Sequence, residues 1–213
     1  MIISLQKDWS NLNEALQKIV KLLKEDKVGA IPTETFYGLA ANPFSEKALT
    51  RLFFLKKRPP DKPILLLIGT KEELFKLVQE VPPLAERLIE NFWPGPLTIV
   101  FEAKNILSPL LTAKTGTIGV RLSSSPLIQK LCVAFGNPVT GTSANLSNFP
   151  PCKTAEEVKL QIPEIDFILD AGKLEANLPS TVISVVKNQL KLIREGIIPF
   201  EKILKVLNFN NKS

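Results

Sequence analysis

The chain contains no histidine in its 213 residues. That absence excludes Ser-His-Asp and Cys-His triads, histidine-bearing zinc sites and imidazole acid–base chemistry together. Cysteine is nearly as scarce. Cys132 and Cys152 have no CxxC spacing and are too few for a four-cysteine metal site or a disulfide framework, so they read as small apolar filling in a reducing compartment. One tyrosine and two tryptophans offer few platforms for stacking nucleic-acid bases. Neither GxxxxGK[ST] nor GxGxxG occurs, which removes the P-loop and the dinucleotide-binding fingerprint. The opening MIISLQKDWS lacks the apolar centre of a signal peptide, and the apolar run Ile64 to Ile68 is strand-sized, far short of a membrane span. A cytoplasmic protein with no membrane association is the expectation.

What is present suits one α/β domain over residues 1–213: 45% apolar and 23% charged residues, with 17 prolines and 10 glycines spread along the chain. Lys and Arg exceed Asp and Glu by 27 to 21, a net charge of +6. The resulting pI near 9.3 is compatible with weak RNA or tRNA binding. Asn11 with Glu14 has the form of a capping box before the stripe Leu12, Leu16, Ile19, Val20 and Leu23. Ser45 caps a second helix that Pro59-Pro60 stops; Thr70 with Glu73 starts a third, and Leu84, Leu88, Ile89 and Phe92 mark a fourth. Ser125-Pro126 to Gly136, Thr154 with Glu157, and Pro199 mark three more. Strands are expected at Val28–Ile31, Ile64–Ile68, Leu97–Phe101, Thr117–Leu122, from Val139, Phe167–Leu169, Thr181–Val186 and Leu190–Ile193. The last two form a hairpin through Asn188-Gln189, so the sheet is mixed.

Three polar clusters interrupt these elements. PTETFYG (Pro32 to Gly38) reads most simply as a strand-to-helix connection. LKKRPPDKP (Leu55 to Pro63) packs Lys56, Lys57, Arg58 and Lys62 at a helix C-terminus, where basic residues either complement the dipole or build an anion site. VTGTSAN (Val139 to Asn145) can aim hydroxyls and backbone N–H groups at an anion, or can be a tight polar turn. The residues by themselves indicate turns suited to a polyanionic small molecule.

The segments IPTETFYGLAANP, LKKRPPDKP, FWPGPLTIVF, TIGVRL, PVTGTSANLSNFPPCKTAEEV, LPSTVI and LIREG, in this order over about residues 29–196, resemble the YrdC-like family, in its short single-domain bacterial form. The resemblance implies a twisted mixed sheet with flanking helices and an open concave active-site face. It also implies an ATP-consuming nucleotidyltransferase that makes threonylcarbamoyl-AMP and pyrophosphate from L-threonine, bicarbonate or CO2, and ATP. That product serves the threonylcarbamoyladenosine modification of tRNA, so tRNA threonylcarbamoyl transferase proteins are implied as downstream partners. The family's Lys-x-Arg and Ser-x-Asn pairs fall here on Lys56, Arg58, Ser143 and Asn145 as the catalytic tetrad. Lys62, Thr117, Thr142 and Arg194 match positions bordering ATP; Thr35, Arg121 and Ser180 match positions near threonine. Leu67 stands where some members carry a histidine, and is expected to form part of an apolar wall for the substrate methyl. Asn148 and Asn177 replace family glycines, with asparagine able to keep a left-handed turn. Mg2+ is expected to enter through the ATP phosphates, with no protein-held metal. An RNA-binding module, and a carbamoyl-adenylate domain of the hydrogenase-maturation type without its zinc modules, are the alternatives.

Overall fold

The computed structural model describes residues 1–59 and 61–208. Its first half contains β1 (Ile2–Ser4), α1 (Leu12–Lys24), β2 (Gly29–Pro32), β3 (Tyr37–Ala40), α2 (Glu46–Lys56), β4 (Leu66–Ile68), α3 (Leu74–Leu77), α4 (Pro83–Phe92) and β5 (Leu97–Glu102). Then come α5 (Pro109–Thr112), β6 (Thr117–Leu122), α6 (Pro126–Phe135), β7 (Val139–Thr140), β8 (Thr142–Ser143), α7 (Ala155–Gln161), β9 (Phe167–Asp170), β10 (Thr181–Ser184), β11 (Lys191–Arg194) and α8 (Phe200–Asn208). The α/β class and the mixed pairing agree with the sequence reading. The strands, however, divide into two sheets, ordered β1-β9-β2-β3-β8 and β11-β10-β5-β6-β4-β7.

At one point the chain passes directly from one sheet to the other. β7 pairs antiparallel with β4, and β8 pairs antiparallel with β3 in the other sheet. One residue, Gly141, separates them. Its N–H donates to the Leu65 carbonyl at 2.9 Å, and a Cβ there would stand 2.6 Å from both Leu65 Cδ1 and Leu67 Cγ. The polypeptide changes sheets through a gap that holds only a glycine. Between the sheets, Ile31, Ala40, Leu67, Val139, Phe167 and Leu169 pack with the apolar faces of α1 and α6, while a larger cluster lies under α2, α4, α7 and α8. Both cysteines are free and fully buried here, Cys132 against the Leu67 carbonyl.

Several start signals act as expected. Ser45 Oγ accepts from Ala48 N, and Thr154 Oγ1 accepts from Glu157 N while the Glu157 carboxylate accepts from Lys153 N at 2.6 Å. Gly136 ends α6 with φ +76°. β10 and β11 form the expected hairpin, turning through Val186–Asn188. Others differ. Asn11 does not cap α1; its amide instead bridges Gln6 N and the Ser4 carbonyl, pinning the chain to β1, while Glu14 pairs with Lys18. Glu73 accepts from Gly69 N, and the helix after Thr70 is a short 3-10 turn followed by α3. Ser125 makes no side-chain cap, and its own N–H donates to Ser123 Oγ. Pro60, expected to help stop α2, lies outside the described residues. PTETFYG is not a strand-to-helix connection: β2 and β3 form a hairpin around it, with Pro32 paired to Tyr37. No described helix is long and apolar enough to cross a membrane.

The crossing generates a stability test. Gly141→Ala overpacks the contact with Leu65 and Leu67 and should lower stability by about 1–3 kcal/mol. Thr154→Ala, which removes only a cap, should cost about 1 kcal/mol. Urea denaturation of both variants checks the order; a Gly141→Ala protein as stable as wild type contradicts the steric account.

Candidate active site

A cavity of about 860 Å³ opens where the two sheets diverge. The first sheet lines it with Thr33, Thr35, Gly38, Thr142 and Ser143; the second contributes Thr98, Thr117, Gly119, Arg121, Ser180 and Arg194, with Arg58 from beyond α2. Gly119 forms part of the floor: a Cβ there would touch Leu65 Cβ and Thr98 Cγ2, each at 3.3 Å. The hairpin tip folds around one hydroxyl. Thr33 Oγ1 donates to the Phe36 carbonyl at 2.7 Å, accepts from Thr35 N at 3.1 Å, and lies 2.9 Å from Thr35 Oγ1.

Across the cavity two guanidinium groups form a cationic corner. Arg194 grips Ser180, its Nη2 donating to the carbonyl at 2.9 Å and to Oγ at 3.3 Å, and Ser180 Oγ is 3.0 Å from Thr98 Oγ1. Arg121, in the interior strand β6, is 3% exposed. Its Nε faces Glu34 Oε1 at 3.8 Å, and neither atom has a hydrogen-bond partner. Burial draws both arginines below the ordinary arginine value, with Glu34 opposing it at Arg121 and the charge of Arg121 adding to it at Arg194. An uncompensated positive corner of this kind favours an anion.

The opposite wall is built on Lys56, in the last turn of α2. This buried ammonium donates to the Ser143 carbonyl at 2.5 Å, the Asn145 carbonyl at 3.0 Å and Asn145 Oδ1 at 2.8 Å, with Ser143 Oγ at 3.3 Å. Ser143 Oγ in turn donates to Asn145 Oδ1 at 2.6 Å. Burial, then the nearby Arg58 charge, pull Lys56 down to about 7. Lys57 turns the chain with φ 49°, and Arg58 folds back so that Nε and Nη2 donate to the Lys62 and Pro63 carbonyls at 3.2 and 2.8 Å.

Lys56, Ser143 and Asn145 are therefore in direct contact, and Arg58 lines the same cavity as Ser143. Ser143 lines the cavity while Lys56 and Asn145 do not, and the ammonium is enclosed by four oxygen acceptors. Thr35, Arg121, Ser180, Thr117, Thr142 and Arg194 all line the cavity. Lys62 does not: its side chain is exposed, and it serves the site through the carbonyl that holds Arg58. Leu67 also departs from expectation. It lies beside Arg121 in the parallel register, fully buried against α1 and α6, and Leu65 takes the place on the wall. Asn148 adopts the left-handed turn (φ 71°), whereas Asn177 does not and instead accepts from Lys153 Nζ. Among the described residues no group of three or more acidic or cysteine side chains could hold a metal ion. Thr33, Glu34, Leu65, Thr98 and Ser123 carry no sequence pattern that singles them out.

With this geometry, comparison with known proteins is specific. Residues 21–196 match the Sua5/YciO/YrdC family, described as "Telomere recombination", and the chain belongs to that family. It is 40% identical over 184 residues to the threonylcarbamoyl-AMP synthase of Vibrio vulnificus (strain YJ016), covering 85% of this chain and 98% of that protein. It is 37% identical over 186 residues to the threonylcarbamoyl-AMP synthase of Pyrococcus abyssi (strain GE5 / Orsay), covering 87% of this chain but only 55% of that longer protein. The crystal structure of P. abyssi Sua5 complexed with L-threonine superposes with a TM-score of 0.89 at 33% identity, covering 97% of this chain and 61% of that one.

The lysine cage predicts a pH dependence. The folded Lys56 ammonium titrates at about 7, and a lysine in the unfolded chain near 10.4. Between those values the unfolded state holds more protons, so the contribution of this residue to stability rises with pH. Melting of wild type and Lys56→Met at pH 7 and pH 9 should show wild type gaining relative to the variant at the higher pH. An unchanged difference, or one that shrinks, contradicts the assignment.

Proposed function

We propose that this chain is a threonylcarbamoyl-AMP synthase, acting as a nucleotidyltransferase on ATP. The observation that carries the reading is that a cationic corner (Arg121, Arg194) and a hydroxyl-bearing wall (Thr142, Ser143) with Arg58 beside it face one cavity in a member of the family. The cavity volume of about 860 Å³ lies in the range of small-molecule sites. The ammonium of L-threonine gives up a proton, bicarbonate takes up one and loses water to give CO2, and the free amine adds to CO2 as a carbamate, releasing a second proton to solvent. One carbamate oxygen then attacks the α-phosphorus of ATP, and the bond to the β-phosphate breaks with pyrophosphate leaving. The nucleophile is already an anion, so the step needs alignment and charge neutralisation rather than a strong base, which suits a chain without histidine.

In this reading Arg121 forks onto the threonine carboxylate, and Thr35 and Ser180 bond its amine or side-chain hydroxyl. Leu65, rather than Leu67, provides the apolar wall for its methyl. Arg58, Thr117, Thr142, Ser143 and Arg194 hold the nucleotide phosphates, while Lys56 and Asn145 fix Ser143 in place and Lys62 anchors Arg58. Mg2+ would arrive on the ATP phosphates, bringing charge neutralisation, since the described residues offer hydroxyls and cations but no acidic cage. We further propose that residues 1–213 work as a single cytoplasmic domain. Transferase proteins that place threonylcarbamoyl on tRNA would consume the adenylate, and the net positive charge would allow weak RNA contact.

Pyrophosphate release with saturating ATP and bicarbonate tests the reading, with the adenylate identified by mass. Threonine should be the best substrate and serine, one methyl short, the better of the false ones, because a missing methyl costs about 1–3 kcal/mol and an unpaired buried polar group can cost more. Valine turning over faster than serine refutes the pocket; no preference for threonine refutes the function. Arg58→Ala should lower kcat/KM by about one to two powers of ten for each charge-assisted bond lost. Unchanged turnover in a folded Arg58→Ala protein removes Arg58 from the site.

A further inference from the structure

We propose that Glu34 is a positioning residue that aims Arg121 at the substrate carboxylate and so makes the site discriminate amino acids from analogues that lack the carboxylate. The inference rests on the synthase reading and deepens it. Glu34 sits at the tip of the β2–β3 hairpin between Thr33 and Thr35. Those two threonines line the cavity and Glu34 does not. Its side chain crosses to the other sheet. There Ser123, just after β6, donates its hydroxyl to Glu34 Oε2. Ser123 is itself fixed: Oγ accepts from Ser125 N at 3.1 Å, and its carbonyl accepts from Gln129 Nε2 at 2.7 Å. One carboxylate oxygen is thereby clamped, and the other is held 3.8 Å from Arg121 Nε, both atoms buried and without a hydrogen-bond partner.

This geometry has two consequences. Glu34 attracts the guanidinium by its Nε edge, and among the described residues the two Nη groups of Arg121 have no hydrogen-bond partner. They are free for a forked contact with a carboxylate. The local charges are Glu34 against Arg121 and Arg194, a net of one positive charge, which one carboxylate neutralises. Because Glu34 belongs to the loop that carries Thr35, it also sets the distance between the carboxylate clamp and the hydroxyl on the opposite wall.

The test compares L-threonine with L-threoninol, which lacks the carboxylate, in calorimetric binding to wild type, Glu34→Gln and Ser123→Ala. KM for ATP and kcat are measured in parallel. Positioning predicts that Glu34→Gln weakens threonine by about tenfold or more and leaves threoninol and KM for ATP unchanged. Ser123→Ala keeps the charge but frees the carboxylate, and should show the same threonine-only loss at smaller size. If charge alone mattered, Glu34→Gln would bind threonine more tightly, because the corner would become more positive; tighter or unchanged binding overturns the proposal. Equal losses for threonine, threoninol and ATP in both variants also overturn it, since they indicate a scaffold role. A wild-type protein that forms no threonylcarbamoyl-AMP fails the synthase reading instead, which keeps the two failures distinct.

Discussion

The passage of the chain through Gly141 is the constraint on which the site depends. One residue separates a strand of the six-stranded sheet from a strand of the five-stranded sheet, and the Leu65 and Leu67 side chains leave no room for a Cβ. The crossing places Thr142 and Ser143 opposite the face of β6 that carries Gly119 and Arg121. It also carries the 143–145 turn to the end of α2, where Lys56 can enclose it.

The electrostatics of the cavity follow from burial. Four cations, Lys56, Arg58, Arg121 and Arg194, are taken partly or wholly out of water, and each is met differently; Arg58 is held by the Lys62 and Pro63 carbonyls. Lys56 is satisfied by carbonyl, amide and hydroxyl oxygens, so its charge is spent on structure. Arg194 is bonded to Ser180 through Nε and Nη2 and lines the cavity. Arg121 has Glu34 at a distance too long for a hydrogen bond. A buried charge lacking full compensation is expensive. An anionic ligand that supplies the missing partner recovers that energy at the moment of binding, which couples affinity to the sign of the ligand's charge.

The same logic explains how a chain without histidine can support the proposed reaction. A carbamate nucleophile and a pyrophosphate leaving group are both anions, so the barrier lies in bringing negative charges together along one line. Rigid hydroxyls and guanidinium groups on strands and a clamped hairpin tip meet that need better than a mobile general base.

Local features of the fold were legible in the sequence wherever a local force decides them. The Ser45 and Thr154 caps, the Gly136 stop, the β10–β11 hairpin and the alternation of helices with strands depend on neighbours a few residues away. The left-handed turn at Asn148 was implied by the resemblance, and the same implication failed at Asn177. Resemblance identified the polar segments as one site, and most of the residues it named line one cavity. What sequence could not decide is which apolar residue faces which space. Leu65 and Leu67 are chemically identical, and only the packing of α1 and α6 against β4 buries the second and leaves the first on the wall. Nor could it show that Asn11 would be taken by β1, that PTETFYG would close a hairpin, or that Glu34 would cross to Ser123 and Arg121, 89 and 87 residues away in sequence, contacts that exist only once the two sheets face each other.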